Sequence, residues 1–124
     1  YAHHPNEVKA TLKAIRQKYP NKKLIAIFQP HTYSRTNEFK EDLVNAFKNV
    51  DEAYIMDIHG AREKQEDFEE ITSDVIISKL DNGHHINLDE ANTLAKYDDA
   101  VFAFMSPNDI SKLEDDLKSL IEHK

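Results

Sequence analysis

A chain of 124 residues, 40% hydrophobic and 31% charged, is sized for one domain with an ordinary apolar core, burying about 67% of its unfolded surface. It has no cysteine, which excludes disulfides and thiolate metal sites, and no apolar run approaches the roughly 18 residues of a membrane helix. The formal charge of −7 is unevenly divided: residues 1–50 carry nine Lys/Arg and four Asp/Glu, residues 51–124 seven and nineteen.

That division suits a small anion on the first half and argues against nucleic acid, whose phosphate tracks need broad positive surfaces. Two lysine-bearing helices that happen to come first produce the same division. The opening Tyr1-Ala2-His3-His4-Pro5 lacks an initiator Met and does not resemble a signal peptide, so the chain reads as a piece of a longer one.

After Pro5, the positions Val8, Leu12, Ile15 and Tyr19 share one helical face, and Pro20-Asn21 should stop that helix. Residues 24–28 form an unbroken apolar run, the pattern of a strand buried on both faces. Phe39, Leu43, Val44 and Phe47 predict a second helix with Ser34 or Thr36 as its N-cap. Residues 53–58 read as a second strand, and the polar stretch 59–69 after it is long enough to be a functional loop.

Ile71, Val75, Ile76 and Leu80 suggest a third helix. A short strand is expected around Ile86-Asn87-Leu88, then a helix over 89–97. Residues 100–105 make the clearest last strand. Ser106-Pro107-Asn108-Asp109 supplies a cap, a proline and an acidic first turn for a closing helix lined by Ile110, Leu113, Leu117 and Leu120. The alternation predicts an α/β fold: a Rossmann-like, doubly wound, mostly parallel sheet with helices on both faces.

In such sheets ligands gather at the carboxyl ends of the strands, which are residues 29–35, 57–63 and 106–109. In the first stretch Arg35 suits bidentate binding of a carboxylate or phosphate, with His31, Tyr33 and Ser34 adding hydrogen-bonding groups. The same residues serve equally well as a helix cap (Ser34 or Thr36), partial core (Tyr33) and a solvated charge (Arg35). Asp57 ends a strand, where carboxylates either serve chemistry or cap a loop, and Arg62-Glu63 can be a surface ion pair of little energy. His3 and His4 beside Glu7 lack the spacing of a metal site, so no metal is expected there. Polar contact with a ligand at the helix start suits them better. His84, His85 and His123 read as loop decoration. No phosphate-binding glycine loop, nucleophile elbow or zinc signature occurs.

Tyr1-Ala2-His3-His4-Pro5-Asn6-Glu7, followed by Phe28-Gln29-Pro30-His31-Thr32-Tyr33-Ser34-Arg35-Thr36, resembles the C-terminal domain of the Mur ligases over essentially the whole chain. Asp57-Ile58 with Gly60-Ala61-Arg62-Glu63-Lys64 is similar to the family's next strand-end motif, and the 29–35 stretch resembles the alanine-adding branch.

The resemblance implies a three-domain cytoplasmic enzyme of peptidoglycan synthesis, with residues 1–124 as one domain of it. It implies ATP and Mg²⁺ held mainly by a central domain, UDP-N-acetylmuramate and L-alanine as substrates, and an amide formed through an acyl phosphate. Carried over by position, Tyr1 and His4 border the nucleotide pocket. His3, His31, Tyr33 and Arg35 meet the substrate, with His31 and Arg35 on the alanine carboxylate. Asp57 and Arg62 offer loop contacts, and no residue of the domain is a nucleophile, so the isolated domain should be inactive.

The chain departs from the family pattern at Thr32, where many relatives have arginine, and at Ser106-Pro107-Asn108-Asp109, where relatives have a Gly-Ala-Gly-Asp-like turn. The family's acidic residue before the tyrosine is also absent. Two other readings remain: a sister ligase that recycles murein tripeptide, and a non-catalytic α/β binding or regulatory domain.

Overall fold

The computed structural model describes residues 4–60, 62–68, 70–87, 89–97, 99–106 and 111–122. Helix α1 (Pro5–Lys18) leads to strand β1 (Lys23–Phe28), helix α2 (Tyr33–Phe47) and strand β2 (Glu52–Ile55). A 3₁₀ turn at Gln65–Asp67 precedes helix α3 (Asp74–Ile77), strand β3 (Gly83–His85), helix α4 (Ala91–Leu94), strand β4 (Ala100–Met105) and helix α5 (Ser111–Glu122).

All strand pairs are parallel and the sheet order is β3-β2-β1-β4. The chain therefore steps outward from β1 to β3 and then crosses to the other side of β1. The reversal point lies between the exits of β1 and β4, where doubly wound sheets keep their ligands.

Period-two alternation along β1 divides the core. Leu24, Ala26 and Phe28 face α1, α2 and α3 with Val8, Leu12, Leu43, Phe47 and Ile76, while Ile25 and Ile27 face α4 and α5 with Leu94, Leu113 and Leu117. Both faces are covered, which is why β1 is uninterruptedly apolar. On the first face the rings of Phe28 and Phe47 meet at 5.3 Å and a tilt of 50°.

The amino edge of the sheet is tied by Arg16, which donates to the carbonyls of Lys22 at 3.2 Å and Asn49 at 3.1 Å and to Asp51 Oδ2 at 3.1 Å. Asp51 Oδ2 also accepts the Leu24 N–H at 2.6 Å. Desolvation acts to raise the Asp51 pKa, but the Leu24 N–H and Arg16 outweigh it and hold the carboxyl below its ordinary range.

The expected α/β fold is present, with local corrections. Thr32, not Ser34 or Thr36, caps α2, its Oγ1 accepting the Arg35 N–H at 3.3 Å. The third strand lies at Gly83–His85 instead of 86–88. Ile86 follows the strand, fully buried in the second core, with its N–H on the Ile55 carbonyl at 3.2 Å. The α-helical segments α3 and α4 are single turns, shorter than the apolar spacing predicts. Tyr19 and Leu120, placed on core faces by periodicity, are 37% and 41% exposed. Of the expected cap at 106–109, only Ser106 lies within the described residues, as do Leu113 and Leu117 of the closing helix but not Ile110.

Candidate functional site

The exits of β1, β2 and β4 converge on Gln29. Its N–H donates to the Met105 carbonyl at 3.1 Å, its Nε2 reaches the Asp57 carbonyl at 3.5 Å, and its Oε1 accepts the buried Ser106 hydroxyl at 3.1 Å. One amide side chain thus ties together the three strand ends that sequence marks as ligand-facing.

Beside this knot lies a cleft of about 360 Å³, formed by the start of α1, the exit of β1 and the first turns of α2. Phe28, Pro30, Phe39 and Leu43 provide apolar wall, and His4, His31, Arg35 and Glu38 provide the polar groups. A few polar groups over an apolar floor is the ordinary construction of a small-molecule site. The Arg35 guanidinium is exposed and has no ion-pair partner among the described residues. A larger groove of about 440 Å³ lies at the amino edge of the sheet, lined by Leu12, Arg16, Leu24 and Val50; its arginine is engaged with Asp51.

Residue by residue, the cleft unites His4, His31 and Arg35. His4 also caps α1, its Nδ1 accepting the Asn6 N–H at 3.2 Å, and its ring meets Phe39 at 5.1 Å. His31 stacks on His59 at 5.7 Å. Tyr33 is buried and turned away from the cleft lining, stacked on Phe68 at 5.8 Å and packed against Gly60. A Cβ at Gly60 would stand 2.8 Å from the Tyr33 ring and 3.0 Å from the Glu63 carbonyl, so that close approach requires glycine. Asp57 and Arg62 do not line the cleft; Asp57 Oδ1 meets His85 Nε2 at 2.8 Å. Tyr1 and His3 lie outside the described residues.

Sequence reasoning missed the role of Glu63. Read as the neighbour of Arg62 in an ion pair, it instead reaches the start of α2. Its Oε1 accepts the N–H groups of Tyr33 at 2.6 Å and Ser34 at 3.1 Å, and its Oε2 accepts the Ser34 hydroxyl at 2.5 Å. The Ser34 hydroxyl, opposed by some desolvation and aided by both N–H groups and by nearby His31, holds the Glu63 carboxyl below its ordinary range. An acidic residue following Gly60 in the sequence was the available signal, but nothing local names a partner thirty positions away.

The segment before α2 is held in an unusual conformation. Thr32 has φ 62° and ψ 146°, a region that β-branched residues seldom occupy. Its N–H donates to the His59 carbonyl at 2.8 Å, the His59 N–H returns to the Pro30 carbonyl at 2.9 Å, and its own carbonyl accepts the Thr36 hydroxyl at 2.7 Å.

A doubly wound parallel sheet, with Arg35 lacking an ion-pair partner among the described residues and histidines at the same strand exit, defines an α/β domain with an anion-ready edge. The chain belongs to the Mur ligase family: the model of the "Mur ligase, glutamate ligase domain" matches residues 1–109. It is 43% identical over 122 residues, 98% of its length, to a protein named UDP-N-acetylmuramate–L-alanine ligase from Lactobacillus acidophilus, and covers 27% of that relative. The chain thus spans about a quarter of the length of such curated relatives.

Among solved structures, it is similar to the UDP-N-acetylmuramate–alanine ligase of Thermotoga maritima, with a TM-score of 0.72 and 20% identity, covering 100% of this chain and 26% of that one. It is also similar to a murein peptide ligase from Psychrobacter arcticus, with a TM-score of 0.76 and 16% identity, covering 100% and 27%. At these identities the two structures share the fold. They bear different names, so fold alone does not choose between them.

Proposed function

We propose that residues 1–124 are the C-terminal domain of a three-domain, ATP-dependent ligase of the cytoplasm that joins L-alanine to UDP-N-acetylmuramate in peptidoglycan synthesis. The observation that carries this reading is the cleft at the β1 exit, where the Arg35 guanidinium, with no ion-pair partner among the described residues, stands with His31 and His4 over apolar wall. Its identity to alanine-adding relatives supports the choice of amino acid.

In this reading Arg35 holds the alanine carboxylate and His31 flanks it, leaving the amine facing the activated carbonyl. A planar cationic fork suits a carboxylate. The amine nitrogen forms the C–N bond, the bond from that carbon to the phosphate oxygen breaks so that inorganic phosphate leaves with the electron pair, and the proton lost by the nitrogen passes to that phosphate or to solvent. The domain's groups position and stabilise charge and form no covalent intermediate.

ATP supplies the activating phosphoryl group. Among the described residues no group of three or more His, Asp or Glu converges as a metal site, and no step is routed through Mg²⁺. No helix among the described residues is long and apolar enough to cross a membrane.

In the full-length ligase, Arg35→Ala is expected to raise the KM for L-alanine at least about tenfold, the loss of a charged hydrogen bond, with the KM for ATP little changed. An unchanged alanine dependence refutes the assignment. The wild-type enzyme should use L-alanine and reject murein tripeptide; the reverse selects the sister ligase. Turnover of ATP, UDP-N-acetylmuramate and L-alanine by the isolated chain would overturn the domain reading.

A further inference from the structure

The first turn of a helix presents N–H groups without intrahelical partners, a natural seat for an anion. At the start of α2 that seat is filled from within. The Tyr33 and Ser34 N–H groups go to Glu63 Oε1, the Ser34 hydroxyl to Glu63 Oε2, and the Arg35 N–H to Thr32 Oγ1. Three successive amides are occupied by protein groups, so a substrate carboxylate arriving in the cleft meets the Arg35 side chain and not the backbone beside it.

We propose that Glu63 is a positioning residue for the amino-acid site: its carboxylate fixes the first turn of α2, and with it the place of the Arg35 guanidinium. This rests on the reading of Arg35 as the carboxylate partner. Glu63 itself does not line the cleft. It acts from the loop across the β2 exit, braced by the His59 and Pro30 backbone bonds and by Tyr33 stacked on Phe68. The turn it holds begins at Thr32, whose backbone occupies its unusual conformation only while its surroundings fix it. Removing the carboxylate frees two amides and a hydroxyl in the same turn as Arg35, and small displacements of a binding group are costly in a positioned site.

The experiment compares Glu63→Ala, Glu63→Gln and Arg35→Ala in the full-length ligase, measuring the KM for each of the three substrates and the melting temperature. Glutamine retains an oxygen that accepts both N–H groups, and its amide can donate to the Ser34 hydroxyl. Glu63→Ala is expected to raise the alanine KM about tenfold, with those for ATP and UDP-N-acetylmuramate within about twofold; Glu63→Gln is expected to restore most of the loss. Should Glu63→Ala fail to fold, Ser34→Ala, which removes one of the three bonds, is expected to raise the alanine KM by about threefold.

An unchanged alanine KM in Glu63→Ala, alongside a raised one in Arg35→Ala, overturns the positioning role alone. Equal loss for all three substrates, with a lowered melting temperature, also overturns it, since that is general destabilisation. An unchanged alanine KM in Arg35→Ala overturns the site reading and the positioning role together.

Discussion

Two carboxylates tie distant segments together, and both titrate below their ordinary range in the folded chain: Glu63 on the start of α2, and Asp51 on the Leu24 N–H and Arg16. A depressed folded value means that their stabilisation is fully present above the unfolded carboxylate pKa of about 4 and is lost as pH falls through the lower folded values. The urea midpoint of the isolated chain should therefore be level above about pH 5 and fall in acid, less steeply in the Glu63→Gln, Asp51→Asn double variant. Parallel acid limbs refute this. Neither tie was legible in the sequence. Arg62 stood next to Glu63 and offered a cheaper local explanation, while the true partners lie on another element. The placement of Arg35 and His31 at the β1 exit was legible, because both follow the unbroken apolar run of a buried strand, and both line the cleft there.

At the scale of elements, legibility followed burial. Helices α1 and α2 and strand β1 bury apolar stripes, and apolar spacing found them; β4, buried only at Ala103 and Met105, was found by its unbroken apolar run. Strand β3 is an edge strand of Gly83, His84 and His85; its histidines satisfy Glu52 at 2.6 Å and Asp57 at 2.8 Å at its side. No apolar pattern is required there, so the apolar Ile86 drew the predicted strand three residues too far on. The Tyr54 ring that His84 stacks on is anchored by a 2.7 Å hydroxyl contact with Tyr97, and burial, with that bond, pushes the Tyr54 phenol up. The contact between α2 and β1 is the firmest test of how elements hold one another. Phe47 is fully buried against Phe28, and Phe47→Ala should lower unfolding free energy by about 3–5 kcal/mol in urea denaturation with the m-value retained. A loss below about 1 kcal/mol would mean that the face repacks without it.

For the whole molecule, the sheet order explains why the candidate cleft stands where it does. Strand β1 is central and apolar, its exit lies beside the reversal point, and α2 leaves from it carrying Arg35. The basic half of the chain supplies that exit, which gives the uneven charge a spatial meaning. The same order has a second consequence at β4. It pairs with β1 on one side and, among the described residues, has no strand on the other. Its six residues are Ala, Val, Phe, Ala, Phe and Met, without a charge or proline to discourage a newcomer. The isolated chain is therefore expected to self-associate with rising concentration through this open seam, recruiting a second backbone as the next rung. Sedimentation should show the association, and hydrogen exchange should show β4 amides slowing with it; a chain that stays monomeric throughout refutes the expectation. Of the two edge strands described, β4 is the apolar one, and so the readier template for a second chain.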